Sequence, residues 1–340
     1  MPPAPPPVST SPTAPPRGRG TRTLARRAVR AALAGCLAGC LVVACSGRDH
    51  AVEEHGTQLM GVLLDAQMSE ISGLAVSRRH PGVIWMHDDG GNPERLFATD
   101  ESGTRLATFR VEGVTKTDWE DMASFELDGT SYLLVADTGD NGGLRRSLQL
   151  HVFEEPETLE NARLTPAWSI AFRWPDGARD CEAVAVDAAG GQVLLVSKKR
   201  TPPELFSLPL RPYGTGLQTA SPIGALAGVP APATDLPENA PRRSQVEHQV
   251  TAADVSPDGR TLAVMTYKDL LFYSRIGAEN WGQAVSRAPV LTALPWLPQA
   301  EAMGWNRDGS GVFTTGEFIP APLYLIGAPS ASASDSPTSS

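Results

Sequence analysis

Carboxylates recur in this chain at a spacing that would gather them around one cation. Glu182 and Glu301 each stand eight residues before a turn glycine, Gly190 and Gly309, and Thr251 stands the same distance before Gly259. Glu120 lies nine before Gly129, a difference that one β-bulge absorbs. Glu70 opens a further copy with a longer loop before Gly82. Eight residues beyond the glycine come Asp137, Lys198, Tyr267 and Glu317, and the first copy carries His87-Asp88-Asp89 in the equivalent region. Asp118, Asp121, Asp140 and Asp180 lie close by. Carboxylates drawn together repel and resist desolvation unless a cation or basic group joins them. Oxygen-only donors suit Ca²⁺ or Mg²⁺ and not Zn²⁺. The expected metal-facing set is therefore Glu70, Asp88, Asp89, Glu120, Asp137, Glu182 and Glu301, with Ca²⁺ as the cofactor it suits. Lys198, Lys199, Arg145 and Arg146 stand ready to offset charge or hold an anionic ligand.

The elements that must position these groups are short strands. After each turn comes an apolar run: Val83–Met86, Tyr132–Val135, Val193–Val196, Leu262–Met265 and Val312–Thr315. A third run follows, such as Leu150–Phe153 or Leu270–Tyr273, and a looser fourth closes most units, as in Arg105–Val111, Ala167–Arg173 and Val290–Leu294. Four short strands per unit of about 50–70 residues is the signature of propeller blades. The predicted fold is all-β, a five-bladed β-propeller over 57–328. The fifth unit lacks its fourth strand, and Leu59–Leu64 can supply it and close the ring, which removes exposed sheet edges. Residues 211–247, rich in proline, read as an insertion over one face, with a sixth blade as the alternative. In a blade the first strand lines the channel and the second runs back beside it. The start of the first and the end of the second therefore emerge on one face. Four of five blades place a glutamate there. The competing reading is that these acids only accept backbone hydrogen bonds from the neighbouring blade.

The charge balance divides at the N-terminus. The chain has 340 residues and a net charge of −9, yet residues 1–44 carry six arginines and no acid. The other 296 residues carry 23 basic and 38 acidic side chains, or −15. A body this acidic is a poor partner for nucleic acid, whose phosphates need clustered Lys and Arg. Residues 2–16 are a Pro-rich leader, and Arg26-Arg27-Ala-Val-Arg30 precedes an apolar run from Ala31 to Ala44. Fourteen apolar residues suit a signal-peptide core better than a membrane span. The end of the run, Leu41-Val-Val-Ala-Cys45, resembles a bacterial lipoprotein lipobox. That resemblance implies cleavage before Cys45 and its lipidation, with 45–56 as a linker. Leu37-Ala-Gly-Cys40 and Leu33-Ala-Gly-Cys36 are the competing boxes. The expected location is extracytoplasmic, held to a bacterial membrane through the lipid alone. Residues 329–340 read as a disordered tail. Cys181 is the one cysteine of the body beyond the leader and linker, so no internal disulfide is expected there.

Four motifs stand out: His87-Asp-Asp-Gly-Gly-Asn92, Asp118-Trp-Glu-Asp121, Asp137-Thr-Gly-Asp-Asn-Gly-Gly-Leu-Arg145 and Asp180-Cys-Glu-Ala183. Together they resemble a family of bacterial secreted propeller proteins that carries DWED and DxGDN motifs. The resemblance covers about residues 66–326 and implies architecture and export more than a reaction. More distantly, Glu70, Ser72, Asp88, Asp89, Trp119 and Glu120 resemble the pattern of five-bladed calcium-dependent nucleotidases. Phytase-like propellers likewise ring a channel with Ca²⁺-binding carboxylates. The chain departs from both groups in lacking a clear cluster of Arg and Lys for phosphates. These likenesses and the acid ring lead to one expectation, hydrolysis or binding of a small polar or phosphorylated ligand. Ca²⁺ would clamp a phosphoryl oxygen, Glu120 or Glu182 would orient the attacking water, and Lys198 would stabilise developing negative charge. The alternative is a non-catalytic module that binds a cell-envelope component. No Gly-x-Ser-x-Gly elbow is present. Cys181, between Asp180 and Glu182, lacks the basic neighbour a nucleophilic thiol needs.

Overall fold

The computed structural model describes residues 56–329, except 215, 233–236 and 238–240. The leader, the apolar segment, Cys45 and nearly all of the linker and tail lie outside the described residues.

The chain folds as five small sheets set around an axis, a five-bladed β-propeller. It opens with β1 (Thr57–Leu63). The first blade follows as β2 (Ile71–Val76), β3 (Val83–Asp88), β4 (Arg95–Asp100) and β5 (Arg105–Val111). The second is β6 (Trp119–Leu127), β7 (Thr130–Asp137) and β8 (Leu148–Glu154), then β9 (Ala162–Leu164), which crosses back to the first blade, and β10 (Trp168–Arg173). The third is β11 (Ala183–Asp187), β12 (Gln192–Val196) and β13 (Glu204–Pro209), then β14 (Gln218–Thr219), which edges the second blade, and β15 (Ser221–Ala225). A short helix α1 (Arg242–Val246) leads to the fourth blade: β16 (Val250–Val255), β17 (Thr261–Thr266), β18 (Asp269–Ser274), the helix α2 (Trp281–Val285) and β19 (Val290–Ala293). The fifth is β20 (Ala300–Trp305), β21 (Gly311–Gly316) and β22 (Ala321–Gly327).

The N-terminal strand closes the ring as expected. Antiparallel pairing of β1 with β22 gives the fifth blade its outer strand, with Thr57 opposite Ile326 and Leu63 opposite Ala321. The innermost strands β2, β6, β11, β16 and β20 contact one another in turn, and β20 returns to β2. Part of the expected insertion belongs to the ring: β15 is the fourth strand of the third blade, paired with β13. Its sequence, Ser-Pro-Ile-Gly-Ala, lies on a solvated edge and is mostly exposed, so it lacks the apolar alternation that marks a strand. No sixth sheet forms among the described residues.

The core is five separate cores, one between each pair of neighbouring blades. Trp85 and Phe109 fill the gap between the first and second blades, Phe172 and Trp174 the next, and Trp281 of α2 the third. Phe272 and Trp305 pack between the fourth and fifth, and Phe97 and Phe313 between the fifth and first. Inner strands are buried on both faces, which is why β2, β11 and β16 consist mainly of small and apolar residues. At Gly304 of β20 a side chain would press on the backbone of Leu74 and Ala75, so glycine here sets how closely the last blade meets the first.

Candidate functional site

The register of the inner strands explains how acids come to face the channel mouth. In β6 the pairing skips from Trp119 to Met122 and leaves Glu120 and Asp121 in a bulge. The same irregularity leaves Ser72 in β2, Thr251 in β16 and Glu301 in β20. Glu182 stands directly before β11. A bulge bends its strand and re-aims a side chain, and here the device recurs at the entry of four inner strands. The two hydroxyls stitch blades together: Ser72 donates to the Glu120 carbonyl, and Thr251 donates to the Ala300 carbonyl at 2.8 Å. By place in the fold, Glu120, Glu182 and Glu301 are therefore equivalent to Ser72 and not to Glu70.

Glu120 is the centre of the site. It belongs to two overlapping carboxylate groups, Asp89 with Asp118 and Glu120, and Glu120 with Asp180 and Glu182. In each group one oxygen per residue lies within 4.8 Å of the others. Glu120 is 5 % exposed, and among the described residues no hydrogen-bond donor reaches its carboxylate. Gly139 backs directly onto the carboxylates of Glu120 and Asp118, and any side chain there would collide with both.

Asp118 and Asp180 join the site although the expected metal-facing set omits them. The signal was present: Asp118 stands two residues before Glu120 and Asp180 two before Glu182, and in extended chain residues i and i+2 share a face. The DxGDN segment holds them. Arg145 bonds Asp137 at 2.6 Å, and Asp137 accepts from the backbone of Thr117 at 2.8 Å and Asp118 at 3.2 Å. The Asp140 backbone donates to Asp180 at 2.8 Å, and Lys199 stands 2.7 Å from the other Asp180 oxygen.

The remaining expected ligands stand apart from these groups. Asp137 is fully buried, and its carboxylate is taken by Arg145 and the turn it braces. Asp88 faces Arg95 at 3.7 Å. Glu70 accepts from Asn92 at 2.6 Å and bridges Phe318 through its backbone. Glu301 accepts from the Tyr267 hydroxyl at 2.8 Å. Lys198 pairs with Glu182 and donates to the same hydroxyl at 3.0 Å, so Glu182, Lys198, Tyr267 and the half-buried Glu301 form one hydrogen-bonded chain.

The electrostatics carry the mark of surplus acid. Burial, then repulsion from Glu182, Asp89 and Asp118, holds Glu120 well above the ordinary carboxylate range. Burial and Asp89 push Asp118 up to about 6. Burial, with Glu317 beside it, lifts Glu301 to about 7. Burial outweighs the Lys198 ammonium and lifts Glu182 to about 8. Lys116, over the Trp119 ring, is lowered by burial to about 8. Lys198 is held above its usual value, because Glu182 and Tyr267 outweigh the effect of burial. Cys181 is buried, its thiol is pushed up by that burial, and it is a packing residue.

These shifts predict how stability depends on pH. A carboxyl with a raised folded value binds more protons folded than unfolded, so its stabilisation is lost as pH rises through that value. For Glu301 and Glu182 this loss begins above the unfolded value of 4.5 and is complete only above about 7 and about 8. His87, fully buried and lowered to about 3, acts oppositely but only below its unfolded value of 6.5. The metal-free protein should therefore melt at lower temperature at pH 8 than at pH 6.5, as read by calorimetry in EDTA. A flat or rising profile would contradict the assigned burial of these acids.

No protein-family model matches the chain, and no curated sequence matches it either.

Proposed function

We propose that the channel mouth binds a divalent cation, Ca²⁺ by the character of its donors, and that the protein acts on or captures a small polar or phosphorylated ligand there. The observation that carries this reading is Glu120, a buried carboxylate with no donor, shared by two acid groups. An unpaired buried charge is costly, and in a folded protein it calls for a counter-charge. Bound at this place, the ion supplies Lewis-acid polarisation of a ligand oxygen.

For a hydrolase, the roles expected of Glu182 and Lys198 shift. Both are spent on each other, and Lys198 is also tied to Tyr267. Asp118 is better placed as the base that orients water, being only partly buried and having a value near 6. The engagement of Lys198 is also what favours the second reading, a non-catalytic module for an envelope component. In both readings the body is exported and tethered through Cys45, on the strength of the leader and the lipobox-like residues.

Ca²⁺ titration tests the cation site. Extracellular sites often have dissociation constants of about 0.1–1 mM. At 100 times that constant the gain is about 2.7 kcal/mol, which reads as several degrees in Tm. No shift at 10 mM Ca²⁺ or Mg²⁺ would sink the reading. With metal bound, a screen of phosphate esters and aryl glycosides separates the two versions. Turnover lost in Asp118→Asn supports the hydrolase, and silence supports the module.

A further inference from the structure

Away from the channel, a cleft lined by the outer strands of the first blade concentrates positive charge on a body that is strongly negative. Arg95 in β4 lies in register with Arg110 in β5, and Arg110 lies in register with Arg163 in β9. In-register residues point to the same face, so three adjacent strands carry arginine side by side. Strands are spaced at about 4.8 Å, and the ladder therefore spans about 10 Å. Arg105, one strand-length away, reaches the same cleft, whose volume is about 670 Å³ and whose lining contains no carboxylate.

Like charges directly opposite one another destabilise a sheet. The acids that partner these arginines stand outside the lining and leave donors free. Arg105 bonds Asp65 at 2.6 Å through Nε and Thr108 at 2.7 Å through another nitrogen. Arg163 is largely exposed and meets Glu112 at 3.2 Å. Arg95 approaches Asp88 only at 3.7 Å, and its buried Nε has no acceptor. Arg110 has no acid partner among the described residues. A buried donor without an acceptor points to a group that binds there. Guanidinium forks match phosphate oxygens bidentately.

We infer that this cleft is an anion site for an extended phosphate-bearing ligand, laid across the arginine ladder. It shares no residue with the two carboxylate groups of the mouth.

Inorganic tripolyphosphate is the probe, titrated calorimetrically into the full chain in EDTA, so that chelation of a mouth cation cannot contribute. The wild-type protein is expected to bind, and Arg110→Ala/Arg163→Ala to bind at least tenfold more weakly. Both positions are exposed, so the double variant should fold, and relief of repulsion should leave its Tm at or above wild type. Its Tm response to Ca²⁺ should match wild type, which keeps the outcome separate from that of the cation site. Absence of tripolyphosphate binding to wild type would overturn the inference. Equal affinity in the double variant would overturn it as well.

Discussion

Glu120→Gln is expected to raise the Tm of the metal-free protein at pH 8 and to abolish stabilisation by Ca²⁺. The two effects have one cause. Glu120 is crowded by Glu182, Asp89 and Asp118, and no donor satisfies it. Glutamine keeps the shape, removes the charge and offers its own N–H groups to the surrounding carboxylates. Removing a carboxyl that burial and three neighbouring acids all penalise when ionised relieves both the desolvation and the repulsion. For a domain near this size each kcal/mol is worth about 2–4 °C. The same change neutralises the residue common to both acid groups, so a cation loses its shared anionic ligand. Thermal melts in EDTA and in 10 mM Ca²⁺ read both effects together. If Glu120 were only a blade staple, glutamine would lower the metal-free Tm or leave it unmoved, and any Ca²⁺ response would persist.

The ring was legible because each blade repeats its pattern. Turn glycines, buried second strands and a missing last strand together require five blades and closure by the N-terminal segment. Closure by β1 is seen in the pairing with β22. What the repeat concealed was departure from it. Residues 221–225 form an outer strand with little apolar content, because an edge strand facing solvent needs backbone pairing more than side-chain burial.

The site was legible in outline and misread in detail for the same reason. Aligning residues by spacing to the turn glycine treats Glu70 as the partner of Glu120. The bulges show that Ser72 holds the equivalent place, since loop length and not spacing sets where the chain enters the channel. Spacing alone makes Asp137 a ligand because it ends a second strand. Nothing in its spacing reveals that Arg145, eight residues on, will fold back onto it. Conversely, Asp118 and Asp180 needed only the two-residue period of extended chain to be found.

The Asp-Trp-Glu-Asp motif divides its labour along the channel. Asp118 and Glu120 face the mouth, Trp119 is buried edge-on to His87, and Asp121 turns into the channel. One Asp121 oxygen accepts from the backbone of Val184 at 2.8 Å and of Ala253 at 3.1 Å, and the other accepts from Met122 at 2.8 Å. A carboxylate of the second blade thus holds the inner strands of the third and fourth. Asp121→Ala orphans three inner-strand N–H groups, and each unsatisfied buried group costs about 1–3 kcal/mol. The expected loss is about 3–5 kcal/mol, or about 10 °C in Tm. It is the counterpart to Glu120→Gln: two adjacent acids of one bulge, replaced in turn, should move stability in opposite directions. Asp121→Asn should recover only part of the loss, because its amide offers one acceptor and turns a second donor toward donors. The Asp121→Ala protein should keep its Ca²⁺-induced rise in Tm, since Asp121 belongs to neither acid group. An unchanged Tm with that rise abolished would instead make Asp121 a ligand of the cation and extend the site down the channel.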